Sequence, residues 1–238
     1  MRAKLILSLL LAASANSCLF AETRATHQTS NQSVILASDY LSDGVSQTDR
    51  NPVLQWQRED RWQIKEFASP IYSRLFASNL EYANDTGLEL DLGLGTEVIL
   101  SGMKWDFGLL NNFNLGLDDV DSYFLEVYAG LYLTDNASIY FTYADDSETF
   151  DGGNNAKIHW DQSFQIDRAL TWSYQIGYTD MYRSRLSNSD YIWWKAAIQY
   201  DFGQSQLSLE YHDTDIQKPV DFNDIAQESL VVSFTYNL

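Results

Sequence analysis

Cysteine is almost missing from this chain. Its one example, Cys18, lies close to the N-terminus, so no disulfide framework and no thiolate metal centre can be built. Bases are scarce too: 15 Lys and Arg stand against 33 Asp and Glu, a formal charge of −18. That balance excludes nucleic-acid binding, which needs a concentrated basic surface. An acidic surface attracts cations or simply solubilises the chain. Long apolar runs are absent as well. No segment approaches the run of about eighteen apolar residues that a membrane-spanning helix requires.

Chemical signatures are equally thin. There is no HExxH, no glycine-rich phosphate loop, no GxSxG and no histidine pair at ligand spacing, so neither a cofactor nor a metal site is expected. His159 and Ser163 share a strand parity, but four residues at strand rise separate them by about 13 Å. That is too far for a base and its nucleophile. Acids in the segments LDDVD, DDSETFDGG and TDIQKPVDFND could attract calcium, yet none has the ordered spacing of an EF-hand. An enzyme is not expected.

What is present begins with MRAKLILSLLLAASANSCLFAETRA. Arg2 and Lys4 precede an apolar run over residues 5–13, followed by small residues. This is the pattern of a secretory signal, too short in its apolar part to cross a bilayer. Cleavage is expected after Ala21, with Ala25 as a competing position, leaving residues 22–238 as one domain. A lipoprotein reading of ANS before Cys18 is the alternative, with Ala15 where Leu is usual.

Beyond the leader, a beat of two runs through the chain. Tyr123, Leu125, Val127, Ala129, Leu131 and Leu133 alternate with Glu126, Tyr128, Gly130 and Tyr132. Leu88, Leu90, Leu92 and Leu94 alternate with Glu89, Asp91, Gly93 and Gly95. Period two is the strand signature, and the 14% aromatic content agrees with it. Twelve strands are predicted: 34–45, 52–58, 70–79, 87–95, 101–110, 122–133, 137–145, 156–166, 170–179, 190–200, 205–213 and 227–238. The stretch EDRWQIKEFA, between the second and third, has no clean period.

Connections alternate in length. TDN, DRA and DFGQ are tight turns, whereas NNFNLGLDDVD, DSETFDGGNN, DMYRSRLSNS and TDIQKPVDFNDIAQE are long and polar. Outer-membrane barrels sort short turns to the periplasmic rim and long loops to the outer rim. The expected fold is therefore all-β: a single antiparallel transmembrane barrel of twelve strands with both termini periplasmic. Closure leaves no sheet edge unpaired in hydrocarbon. Leu125, Val127 and Leu131 then face lipid, and Tyr123, Trp172, Tyr178 and Tyr200 fit interfacial girdles. At the C-terminus Leu230, Val232, Phe234, Tyr236 and Leu238 share one face. Such a closing strand is similar to the signal read by the outer-membrane assembly machinery, which most often ends in Phe or Trp.

The segment SDYLSDGVSQTDRNPVLQ carries a family resemblance. Ser38, Asp39, Tyr40, Gly44, Ser46, Gln47, Pro52 and Gln55, with the later pair Ser78 and Asn79, resemble the opening of the TorF family of outer-membrane porins. Leu88 to Gly93 fits the region that follows. The resemblance implies a barrel in the outer membrane and a transport role. It departs at Asp43, where the family often has Arg. Local chemistry explains the same residues: Gly44 supplies a positive φ, Pro52 suits a first strand position, and Ser46, Gln47 and Asp49 can satisfy backbone groups in a hairpin.

Inward parity selects Asp39, Arg74, Glu89, Asp91, Lys104, Asp106, Glu126, Lys157, His159, Asp161, Lys195, Glu210 and His212 as lumen-lining candidates. They could line a hydrated channel or pair into a network that seals it. A passive channel for small hydrophilic solutes is expected, preferring cations because acids outnumber bases. A closed barrel with a structural, adhesive or receptor role is the alternative.

Overall fold

A computed structural model describes residues 25–64, 69–82, 85–116, 122–145, 154–182, 190–216 and 225–238. The expected leader, with its Ala21 cleavage position, lies outside them, as do most of the loop acids considered for calcium. Fourteen strands follow in order: β1 (Ala25–Ala37), β2 (Leu41–Ser42), β3 (Val45–Ser46), β4 (Val53–Ile64), β5 (Ile71–Tyr82), β6 (Asp85–Leu100) and β7 (Met103–Leu115). They continue with β8 (Ser122–Thr134), β9 (Ala137–Asp145), β10 (Asn154–Gln165), β11 (Leu170–Tyr182), β12 (Tyr191–Asp201), β13 (Ser205–Thr214) and β14 (Ser229–Asn237).

Twelve of them close a barrel in which each pairs antiparallel with its sequence neighbours and β1 meets β14; β2 and β3 form a separate small hairpin. The alternation decides which face is which. On β6, Leu92 and Leu94 are exposed at 45% and 54%, whereas Glu89, Gly93 and Gly95, of the opposite parity, are buried. The closing strand does the same, with Leu230, Val232, Phe234, Tyr236 and Leu238 all exposed. A water-soluble protein does not surround itself with an apolar wall of this extent. Its solvent is hydrocarbon, so the chain is a transmembrane barrel.

The connections β6–β7, β8–β9, β10–β11 and β12–β13 are tight and share one rim, whereas the close approach of β5 to β6 is at the other. Ser101 and Gly102 both adopt positive φ (53° and 80°) between β6 and β7, the pattern of a type I′ hairpin turn. Between β10 and β11 the Asp167 carboxylate accepts the amides of Ala169 (2.8 Å) and Leu170 (2.9 Å). Those two bonds hold its pKa below the ordinary carboxylate value. The β1 start and the β14 end lie at this same rim, as the alternation of connections predicts.

The expected first strand is displaced. β1 begins at Ala25 rather than 34 and stops at Ala37, because ATHQTSNQS pairs with β4 despite having few apolar residues. β4 likewise runs on to Ile64, through the stretch without a period. Charge on both faces hid the strand: Glu59 and Arg61 share the parity of Gln55 and Gln57, while Arg58 and Asp60 share that of the exposed Leu54. Strand parity puts Arg58 and Asp60 on the outer face, where they pair at 2.8 Å with Asp60 buried, opposite Gln32 and Ser30 of β1 and Leu75 and Ser73 of β5. An internally neutral pair is the form in which such charge is tolerated there.

Candidate functional site

Residues 38–52, between β1 and β4, turn back into the mouth of the barrel instead of standing out from it. Four positive-φ residues reverse the chain: Asp43 (51°), Gly44 (79°), Asp49 (49°) and Arg50 (62°). The buried Asp39 carboxylate organises the turn, accepting the Ser46 hydroxyl at 2.6 Å with Thr48 Oγ1 at 2.9 Å. Ser46 Oγ in turn accepts the Arg50 amide at 2.9 Å, and Gln47 donates to the Val45 carbonyl at 3.0 Å. Ser38 exchanges two bonds with the Val232 backbone, at 3.0 and 3.1 Å.

The reversal is anchored on three sides. Val45 packs with Tyr191, Trp193 and Ala226. The Ser46 amide donates to Ile225 O at 2.8 Å, and the Glu81 amide donates to Gln47 O at 3.0 Å. Asp43 reaches Lys157 of β10 at 2.8 Å. The position at which this chain departs from the TorF pattern thus holds an ion pair inside the barrel. The two halves of the resemblance also meet: Gln55 stands opposite Ser78 and donates to its hydroxyl at 3.3 Å, and Asn79 Oδ1 accepts the Leu54 amide at 2.8 Å. Pro52 directly precedes β4.

Two expectations for this segment need correction. Asp39 is buried as expected, but it lies beyond β1 in the reversed segment and not on a strand wall. Tyr40, which the period continued from Val34 and Leu36 would place outward with them, does not follow that parity. Its ring lies 5.8 Å from that of Phe76, which shares the inward parity of Arg74. The early end of β1 breaks the alternation on which both assignments rested.

Below the mouth, the bases are mostly taken. Arg74 pairs with Glu59 at 2.9 Å, Lys104 with Glu97 at 3.1 Å, and Arg61 bridges both of those acids. Lys157 serves Asp43 and, at 3.6 Å, Glu126; Lys195 lies 4.0 Å from Glu210, which also meets His212 at 3.1 Å. His159 lies 3.2 Å from Asp161, to which Gln175 donates. Glu89 and Asp91 are held differently, by neutral groups: Asn112 Nδ2 donates to both, at 2.8 and 2.7 Å, and the Tyr40 side chain also bonds Glu89.

Farther along the same strands lies a tyrosine cluster. Asp106, fully buried, accepts the hydroxyls of Tyr72 and Tyr140, and Tyr72 meets Tyr128 at 2.6 Å. Glycines make room for it: a Cβ on Gly95 or Gly108 would run into Tyr72 or Tyr128, and one on Gly130 into Tyr140. Arg74 and Lys104 lie over the Tyr72 and Tyr132 rings at 4.5 and 4.3 Å. The Tyr140 and His159 rings stack at 5.5 Å.

The thirteen lumen candidates therefore fall into separate interior groups, with Asp39 in the mouth segment. Glu59, Arg61, Glu97, Asn112 and the tyrosines are interior residues that counting acids and bases within clean periods passes over. The signal for the tyrosines was readable, since glycines recur at inward positions opposite aromatic residues. Among the described residues no group of three or more His, Cys, Asp or Glu could hold a metal ion.

Among the described residues, cavities remain inside. One, of about 450 Å³, is lined by Tyr40, Gln55, Lys195, Gln199, Glu210 and His212 among others. The second, of about 630 Å³, is lined by Glu59, Arg74, Asp91, Glu126, Tyr128, Tyr140 and His159 among others. Gln57 and Asn237 border both.

The sequence model of a family described as "Bacterial protein of unknown function (Gcw_chp)" matches residues 21–236. No curated protein matches the sequence. Among solved structures, a protein from work on in-meso crystallization of membrane proteins is similar over 89% of this chain and 83% of that one, at 11% identity and a TM-score of 0.57. KdgM porin is similar over 87% of this chain and 98% of its own, at 13% identity and a TM-score of 0.49. NanC porin is similar over 87% and 100%, at 13% identity and 0.49. Only the first bears on the fold. A closed barrel with an apolar outer wall, in a bacterial family, is an outer-membrane protein.

Proposed function

We propose that this chain, which belongs to the bacterial family of unknown function Gcw_chp, is a channel through which small hydrophilic solutes cross the outer membrane passively, with a preference for cations. One observation carries the reading. The interior is a polar, charged wall around cavities of about 450 and 630 Å³, instead of a packed apolar core. The cation preference is supported by the ion pairs: Arg74, Lys104 and Lys157 are engaged by Glu59, Glu97 and Asp43, which leaves Glu89 and Asp91 on neutral groups. The finer kinship with the TorF family is supported by the meeting of Gln55 with Ser78. Residues 1–21, or 1–25, are proposed as the export signal, and the closing strand as the segment engaged by the assembly machinery.

A second reading, a closed barrel with a receptor or adhesive role, is favoured by the inward segment 38–52. Planar-bilayer recordings on refolded, heat-modifiable protein decide between them. Single-channel steps with a cation-selective reversal potential are expected, and neutralising Glu89, Asp91 and Glu126 together lowers that selectivity without loss of the barrel. Reproducible anion selectivity refutes the charge argument. Verified barrels without steps leave the closed reading.

A further inference from the structure

The cavity of about 450 Å³ runs along the seam, where β12, β13, β14, β1 and β4 stand side by side. Register sets Gln206 beside Thr235, Thr235 beside Ile35 and Ile35 beside Gln55, so one row of its lining crosses four strands. Its charges are satisfied within the protein. Lys195 and His212 face Glu210 at 4.0 and 3.1 Å, Asp39 holds Ser46 and Thr48, and Asp201 accepts the Gly203 amide. What remains open is neutral. Gln199, Gln206 and Thr235 line the cavity half-buried, and their side chains have no hydrogen-bond partner among the described residues. Gln55 and Gln57 commit their amide nitrogens to Ser78 and Ser33, at 3.3 and 2.9 Å, and keep their carbonyls for the cavity. The rest of the lining is apolar: Ile35, Ala37, Leu41 and Val231, packed together beside the Tyr40 ring.

We propose that this cavity binds a neutral mono- or disaccharide. The inference rests on the channel reading and names the class of solute that pauses along the seam. A sugar ring has hydroxyls that both donate and accept around its edge and apolar C–H groups on its faces. Glutamine amides offer one acceptor and two donors in a fixed plane, which suits neighbouring hydroxyls, and the threonine hydroxyl serves in either sense. The apolar patch with Tyr40 meets the C–H face. An ion would bring a charge that no free partner in the cavity balances. A purely apolar molecule would displace water from the open amides and leave them without bonds, whereas a saccharide reproduces the bonds of the waters it replaces. The volume suits a small organic molecule. The cavity of about 630 Å³ has no such neutral wall, since Glu59, Arg74, Asp91 and Glu126 border it.

The test uses refolded full-length barrel in lauryldimethylamine oxide, a detergent without a sugar head group, and needs no conduction. Glucose and maltose are titrated at fixed ionic strength, with saturation-transfer NMR and calorimetry as readouts; glucuronate and glucosamine probe charge, and 1,6-hexanediol is the apolar control. Saturable binding of glucose or maltose is expected, with weaker binding of both charged sugars and none of hexanediol. Gln199→Ala with Gln206→Ala should weaken the sugar at least tenfold. No saturable binding of either neutral sugar, equal or tighter binding of a charged one, or undiminished binding by the double variant overturns the proposal. Should that variant not fold, Thr235→Cys replaces it. Maltose must then slow modification of position 235 by a methanethiosulfonate reagent, read by mass spectrometry, and an unchanged rate overturns the site. Single-channel steps without sugar binding refute the site and leave the channel; sugar binding by barrels that give no steps refutes the channel and leaves the site.

Discussion

Replacing Gly44 with Ala separates backbone strain from crowding in the mouth, because the protein contains its own control. Gly44 and Gly102 have nearly the same φ, +79° and +80°. An L-residue in this left-handed region costs about 1–2 kcal/mol at either position. Their surroundings differ completely. A Cβ on Gly44 would lie 2.4 Å from Thr214 Cγ2 and 3.3 Å from both Asp213 O and Trp193 Cβ, whereas one on Gly102 meets nothing within 4 Å. Thr214 cannot turn away cheaply, since its hydroxyl donates to Ala226 O at 3.0 Å. Crowding of this kind adds about 1–3 kcal/mol. Gly44→Ala should therefore lose roughly 2–5 kcal/mol against 1–2 for Gly102→Ala. The loss falls on segment 38–52 more than on the barrel, so hydrogen–deuterium exchange of that segment is the assay. Its open population should rise roughly 30- to 4,000-fold, at 1.4 kcal/mol per decade. Exchange in Gly102→Ala should stay unchanged over 38–52. If the two variants exchange alike, the mouth segment is not packed as described.

Other outcomes follow from the two faces and their charges. Leu92→Arg should cost about 2–4 kcal/mol in urea unfolding from lipid vesicles, since the residue faces hydrocarbon. Gly93→Ser should be milder, its Cβ meeting Arg74 Cβ at 3.2 Å and Leu110 Cδ1 at 3.5 Å; the reverse order would contradict the parity. Asp60→Leu strands the Arg58 guanidinium on the outer wall and should destabilise by about 2–4 kcal/mol, while Arg58→Leu with Asp60→Leu recovers most of it; additive losses in the same assay would refute the pair. Lys157→Met removes the base shared by Asp43 and Glu126 and should cost about 3–5 kcal/mol, with partial recovery on adding Asp43→Asn, a coupling that a double-mutant cycle measures. Because the folded pKa of Asp167 is depressed, its contribution to the 166–169 turn is complete above the ordinary value of 3.8 and fades as pH falls below it. Amide exchange at Ala169 and Leu170, corrected for its intrinsic pH dependence, should lose protection in that window and not above it.

The barrel was legible wherever one face of a strand is apolar and the other is not. β8 and β9 fall at their expected positions because Leu125 to Leu133 alternate with polar or small neighbours. β4 was half hidden because Arg58, Glu59, Asp60 and Arg61 put charge on both faces, and a period cannot survive that. β1 was hidden at its start for the opposite reason, a polar run with little contrast. The interior groupings were less legible still. Which acid meets Lys157 depends on segment 38–52 bending inward, a three-dimensional event set by Gly44, Trp193 and Thr214 from distant strands. Parity could place Glu89 and Asp91 inside; it could not show that Asn112, on the next strand, would hold them both.

The seam between β1 and β14 has a consequence for how the protein is made. Every other pairing in the barrel joins neighbours in the chain and can form as a local hairpin. This one joins Ser33 to Asn237, across nearly the whole sequence, and its register covers five residue pairs where β1 and β4 share twelve. Contacts so distant in sequence bear the largest loop-closure entropy, so the curved sheet from β1 through β14 is complete before its ends meet. Until then two edges carry unpaired amides and carbonyls, each costing several kcal/mol in hydrocarbon. Insertion must therefore happen where those edges are sheltered, and removing β14 would leave an open sheet with no smaller barrel to fall back on.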